Sequence, residues 1–205
     1  MTATSTTAPI RIGVMGAHST GKTLLLQRIE MTLRGYGIPV NRTGQLGKRA
    51  ALVPLPKMQH HTVASTEWVL AQGIADEIAA AARPGPEPIQ VVLADRAAWD
   101  ALAYWHAAQE WRQETPHRHD RERLLVLAAT QAPKYHLLLA TALDPDIPVD
   151  SRHAYDTRYR TLVDQHTHRL LAAEGIEHHR VTSDPDSQAR AVDRAVKLCL
   201  KEAVV

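Results

Sequence analysis

The sequence predicts a single α/β domain: a parallel β-sheet with helices packed on both faces. Two observations carry this. Short apolar runs alternate along the chain with segments of helical periodicity, which is the pattern of strands buried on both sides. No internal repeat and no long linker divides the 205 residues, of which 44% are hydrophobic, enough for one packed core at this length.

The elements follow in order. Residues 1–9 are small and uncharged and lack the charged-then-apolar layout of a secretory leader, so they read as a flexible N-terminus before a domain over 10–205. Residues 10–15 form an apolar run ending in glycine, a buried strand. Residues 22–34 place Leu25, Ile29 and Leu33 on one helical face, and Gly35 and Gly37 end that helix. A second strand is expected over 38–43. Residues 44–61, with Gly44, Gly47, Pro54 and Pro56, read as a loop holding a short helical piece. A helix over 62–82 is stopped by Arg83-Pro84-Gly85-Pro86, and 89–94 is the third strand. Helices are expected over 97–112 and 120–131, a fourth strand over 135–141, and a long helix over 155–174 closed by Gly175. A fifth strand over 179–182 and a helix over 187–203, started by Asp184 or Ser187, complete the chain.

Charge and composition exclude several classes. The net charge is +2 and no long basic run occurs, so nothing directs the chain to nucleic acid or to an anionic membrane. No apolar run approaches the ~20 residues that cross a bilayer. A soluble, cytoplasmic protein is the expectation. Cys199, the single cysteine, cannot form an internal disulfide and falls in a helical pattern as a small buried hydrophobe. The 12 histidines include the pairs His60-His61 and His178-His179, but no spacing matches a zinc-peptidase helix, and they read as solvated.

The strongest motif is Gly16-Ala17-His18-Ser19-Thr20-Gly21-Lys22-Thr23, between an apolar strand and an amphipathic helix. Glycines at this spacing let the backbone curl so that its N–H groups converge on phosphate oxygens, and the following helix adds its positive end. Lys22 is placed for the β- and γ-phosphates, and the Thr23 hydroxyl for Mg²⁺. The middle residues, His18 included, act through backbone atoms. This is the P-loop pattern, and its expected cofactors are ATP and Mg²⁺. No Asn-Lys-x-Asp guanine-reading motif occurs, which favours ATP over GTP.

Two further segments belong with it. Asp95-Arg96 ends an apolar strand: the carboxylate suits Mg²⁺ or the proton of an attacking hydroxyl, and Arg96 suits a bidentate grip on phosphate. Asp100, one turn on, either extends this acidic site or is a solvated helix residue. Trp99, Tyr104 and Trp105 form an aromatic stripe that reads as core, with stacking on an acceptor base as the functional alternative. Asp150, Arg152, Arg158 and Arg160 follow the fourth strand, and Arg152 with Arg158 suits a lid over 144–160 that neutralises transition-state charge. Arg160 is the weaker candidate.

These segments resemble the P-loop nucleoside kinases, and in particular the ribosylnicotinamide kinase domain and its AAA-labelled ATPase relatives. The resemblance rests on Gly16 to Thr23, Asp95-Arg96 and Asp144-Pro-Asp-Ile-Pro-x-Asp150-x-Arg152, and only the first is highly specific. It implies a three-layer P-loop NTPase fold with a five-stranded parallel sheet in the order 2-3-1-4-5 and a small lid. It implies catalytic roles for Lys22, Asp95, Arg96, Arg152 and Arg158, with Thr23 and Asp95 on the metal. It places Glu67, Trp68 and Gln72 where such kinases read the acceptor, joined by Arg96 and Trp99. One departure stands out: related kinases carry an acid at the end of the second strand, where this chain has Val40-Asn41-Arg42-Thr43. Asp95 or Glu67 takes that role, or the acceptor differs; Arg42, Lys48 and Arg49 suit an anionic one. The expected function is ATP- and Mg²⁺-dependent phosphate transfer to a nucleoside, nucleotide or similar small hydroxyl metabolite. A regulatory ATPase acting through partner binding is the alternative. The expected partner is a small-molecule phosphate acceptor, with no nucleic acid, no membrane, and a homodimer left open.

Overall fold

A computed structural model describes residues 8–82, 87–147 and 156–202. Five parallel strands, β1 (Ile10–Met15), β2 (Val40–Arg42), β3 (Val91–Asp95), β4 (Leu137–Thr141) and β5 (His179–Val181), form one sheet in the order β2-β3-β1-β4-β5. The helices are α1 (Lys22–Gly35), α2 (Leu46–Leu52), α3 (Val63–Ala81), α4 (Ala98–Trp111), α5 (Arg118–Ala129), α6 (Thr157–Ala173) and α7 (Pro185–Glu202). This is the three-layer P-loop fold that the sequence predicts.

Strand side chains alternate between two cores, as the period of two requires. Ile12, Val14, Leu93, Leu137 and Leu139 face α1 and α7, where Leu26, Ile29, Leu33, Ala195 and Cys199 meet them. Met15, Leu138 and Ala140 face the opposite layer of Leu70 on α3, Trp99 and Trp105 on α4, Leu124 on α5 and Leu171 on α6. A third cluster joins Ala17 to Tyr104, Ala108, Tyr159 and Val163, so the segment after β1 is wedged between α4 and α6. Cys199 is buried as expected, and burial pushes its thiol up to about 12.

Local signals explain the boundaries. Thr62 caps α3: its side chain accepts from Ser65 N, and the Ser65 hydroxyl accepts from Thr62 N. Asp156 caps α6 by accepting from Tyr159 N at 2.8 Å. The Asp184 carboxylate accepts from Ser187 N at 2.9 Å, so α7 begins at Pro185 rather than at 187. β2 is shorter than the 38–43 run, and the loop over 44–61 holds both α2 and a 3₁₀ turn, Met58–His60. Most of the segment expected as a lid, with Asp150 and Arg152, lies outside the described residues. Among the described residues no helix is long and apolar enough to cross a membrane.

Register positions the site. Val14 lies opposite Asp95, and Met15 opposite Ala140, so β1, β3 and β4 end at one level. Gly13 permits the close approach of α4 that this needs. A Cβ there would meet the Ala97 Cβ and the Tyr135 ring at 3.0 Å. Gly13→Ala is therefore expected to destabilise the fold by about 1–3 kcal/mol through overpacking, read from urea unfolding midpoints.

Candidate active site

The loop after β1 is held from below by β4. Gly16 has φ +138°, and a Cβ there would lie 2.8 Å from the Thr141 carbonyl oxygen, so only glycine fits. The Thr141 hydroxyl donates to the Met15 carbonyl at 3.1 Å and lies 2.6 Å from the Thr20 hydroxyl. Gly21, with φ +82°, turns the chain into α1. The loop is thus braced before any ligand is considered.

Three cations surround it. Lys22 is 6% exposed, and its ammonium donates to the carbonyls of Gly16 (2.9 Å) and Ala17. Burial, followed by the charge of Arg96, lowers its pKa to about 8. Arg160 approaches from α6 and donates to the carbonyls of His18 (3.2 Å) and Ser19 (3.1 Å). Burial also lowers its pKa. Arg96 is the third. Its backbone is left-handed (φ +89°), a strained state for arginine that recurs at functional sites. The N–H groups of Arg96 and Ala97 both point at the Val14 carbonyl, at 3.2 and 3.0 Å.

Asp100 ties these parts together. Its side chain is buried; Oδ1 accepts from Gly16 N at 2.8 Å, and Oδ2 accepts from the Arg96 guanidinium at 2.6 Å. The guanidinium also lies 5.0 Å over the Tyr104 ring. Burial works against its charge, but Tyr104 and Asp100 outweigh that and hold its pKa above the ordinary arginine value. Tyr104 is fixed in turn by its carbonyl, which accepts from the Tyr159 hydroxyl at 3.0 Å. His18 and His61 pack around the same ring. Burial, reinforced by neighbouring cations, lowers their pKa values to about 3 and about 4, so both are neutral near pH 7.

The donor set fits magnesium. Thr23 Oγ1 donates to Asp95 Oδ2 at 2.9 Å, which brings two hard oxygens together beside the Lys22 loop. Two clefts open from this point, and a third adjoins the first. One runs over the loop, between Ser19, Lys22, Thr23, Lys48, Asp95 and Arg96. A second continues past Asp95 towards Asn41, Arg42 and Asp76. The third is an apolar cavity between α2, α3 and α4, and it shares Leu46, Gly47 and Arg96 with the first.

Not every residue singled out in the sequence comes to these clefts. Lys22, Thr23, Asp95 and Arg96 meet in one. Glu67 pairs with Arg123 of α5 at 2.7 Å, and Gln72 donates to Asp76 at 2.9 Å. Glu67, Trp68 and Gln72 line none of the three clefts; Val69, Leu70, Gly73 and Glu77 do, from the adjoining face of α3. Trp99 is 1% exposed within the core, so it is not placed to stack on an acceptor. Arg158 is exposed, whereas Arg160, two residues on and about 200° around the helix, reaches the loop. Arg42 pairs with Glu30 at 3.2 Å and Arg49 with Asp76, leaving Lys48 of that basic trio beside Asp95. Asp100 is buried against Arg96, four residues before it, and is not a solvated helix residue; that spacing of four was the available signal.

A family profile described as an AAA domain matches residues 11–190. No curated protein gives a significant match to the sequence. Among solved structures, NadR protein in complex with NR superposes with TM-score 0.64 at 19% identity, over 92% of this chain and 51% of that one. The chain thus spans about half the length of the NadR chain. Deoxyadenosine kinase from M. mycoides with bound dCTP gives 0.55 at 7% identity, over 95% and 98% of the two chains. Thymidylate kinase from Ehrlichia chaffeensis gives 0.55 at 17% identity, over 94% and 99%. At these identities the likeness is one of fold.

Two expectations follow from the site. Asp100→Asn leaves the Arg96 guanidinium without its counter-charge, so stability should fall by about 1–3 kcal/mol in urea titrations. Lys22 supplies the second. A bound phosphate favours the ammonium, which is already present below pH 8 and must be recruited above it. The Kd for AMP-PNP is expected to be flat near pH 7 and to rise by up to about tenfold per unit above pH 8. A flat profile to roughly pH 9.5 would contradict the assignment.

Proposed function

The chain belongs to the AAA domain family, and from that premise we propose that it is an ATP- and Mg²⁺-dependent phosphotransferase acting on a small hydroxyl-bearing acceptor. The observation that carries this reading is the junction of two clefts at Arg96: the loop with Lys22 and Thr23 on one side and a largely apolar cavity on the other. A regulatory ATPase acting through partner binding needs the first but not the second.

The chemistry follows from the residues. The loop N–H groups and Lys22 hold the β- and γ-phosphates of ATP. The Thr23 hydroxyl and the Asp95 carboxylate would hold magnesium, which would supply charge neutralisation at the phosphates. The acceptor oxygen attacks the γ-phosphorus in line. The bond from that phosphorus to the β–γ bridging oxygen breaks, and its electron pair stays on ADP. The acceptor proton passes to Asp95 Oδ1, the carboxylate oxygen that does not face the Thr23 hydroxyl; Glu67 is engaged with Arg123 on another helix. Arg96 neutralises the moving phosphoryl group while Asp100 holds it in place. Arg160, with Arg152 from the segment before α6, contributes charge from the lid side. Buried groups that exclude water favour the acceptor over hydrolysis.

A screen of hydroxyl compounds with γ-labelled ATP tests the reading. Acceptor-dependent transfer is expected. Slow hydrolysis indifferent to every acceptor, together with a nucleotide-dependent protein complex, would favour the regulatory alternative. Lys22→Ala should abolish turnover. Arg152→Ala should lower turnover at least ~10-fold with ATP affinity little changed, as for a group acting in the transition state.

A further inference from the structure

We propose that the acceptor is an uncharged alcohol with a small apolar body, a short branched chain, and not a nucleoside or nucleotide. The inference rests on the phosphotransferase reading and specifies its acceptor from the cavity joined to the loop at Arg96. The walls are Leu46, Ala50, Leu70, Ile74, Ala101 and Tyr104. No asparagine, glutamine, serine or threonine side chain lines it among the described residues. A nucleobase is read by matched donors and acceptors along its edge, and amide side chains supply both. Here that edge would lie against aliphatic groups, and each donor or acceptor left unmatched is penalised.

The ionisable groups inside the cavity are already engaged, and Lys57 lies outside them, exposed at its rim. Arg96 is matched by Asp100 at 2.6 Å. Glu77 accepts from the Tyr135 hydroxyl at 2.7 Å and from Arg11 at 3.2 Å. His61 Nδ1 lies 3.2 Å from the Ser65 hydroxyl. A phosphate-bearing acceptor would find no uncompensated cation inside. An alcohol fits differently: its hydroxyl lies at Arg96, facing the γ-phosphate, and its body fills the apolar part.

Size points the same way. The cavity measures about 90 Å³, below the ~150 Å³ void that accepts a benzene ring. A short branched chain is therefore the body it accommodates, whereas a benzene-sized ring exceeds it and a nucleoside is far too large. Gly73 sets the width. A Cβ there would lie 3.5 Å from Leu46 Cδ1, so a larger side chain fills the space without meeting backbone.

The test uses the full chain with Mg²⁺ and AMP-PNP, and reads binding separately from transfer. 2-Methylpropan-1-ol and 3-methylbut-3-en-1-ol are compared with adenosine, cytidine, thymidine and AMP by calorimetry and ligand-observed NMR. The alcohols are expected to bind saturably, at least ~10-fold more tightly than the nucleosides or AMP. Gly73→Val should weaken alcohol binding at least ~10-fold and leave the AMP-PNP Kd within about twofold. If that variant does not fold, Ile74→Ala replaces it and should shift preference to the larger benzyl alcohol. Tighter binding of a nucleoside or nucleotide overturns the proposal, as does alcohol binding indifferent to these substitutions. If the alcohols bind as expected but no labelled phosphate reaches them from ATP, the cavity assignment stands and the phosphotransferase reading falls.

Discussion

The buried carboxylate of Asp100 is the contact on which the site depends. One oxygen takes the N–H of Gly16 and the other takes the guanidinium of Arg96. Without it a buried backbone donor at the start of the loop is orphaned, and a strained, half-buried arginine loses its counter-charge. Both consequences fall at the junction of the two clefts. The carboxylate therefore belongs to neither half of the site alone: it holds the phosphate loop and the acceptor-side arginine in one geometry.

The electrostatic design follows from the same arrangement. Lys22, Arg96 and Arg160 converge on the loop, faced by the carboxylates of Asp95 and Asp100. Two of the cations donate to loop carbonyls, and burial depresses their pKa values. Charge held in this way is costly in a protein interior and is relieved by an anion. A polyphosphate beside the Thr23–Asp95 pair, as proposed, would supply that relief.

The fold was legible because its signals are local or periodic. Apolar runs marked the strands, glycines and caps marked the helix ends, and the loop motif sat between a strand and a helix. That Lys22, Thr23, Asp95 and Arg96 come together was legible for the same reason, since Gly16 to Thr23 and Asp95-Arg96 are contiguous. The lining of the adjoining cavity was not. The face that α3 presents is set by its partners: α5 draws Glu67 to Arg123, and the cavity receives Leu70 and Gly73 instead of Trp68 and Gln72. Trp99 shows the same limit, because an aromatic side chain suits a stacking surface and a core equally well. Arg158 and Arg160 are separated only by which side of α6 rests on the loop, and no periodicity in the sequence fixes that.

A double-mutant cycle between Asp100→Asn and Arg96→Gln, read as AMP-PNP affinity, tests the central claim most directly. The account predicts that the two changes are coupled by at least ~1 kcal/mol, because each removes the same brace on the loop. Losses that add to within about 0.3 kcal/mol would mean that the loop and the arginine act independently.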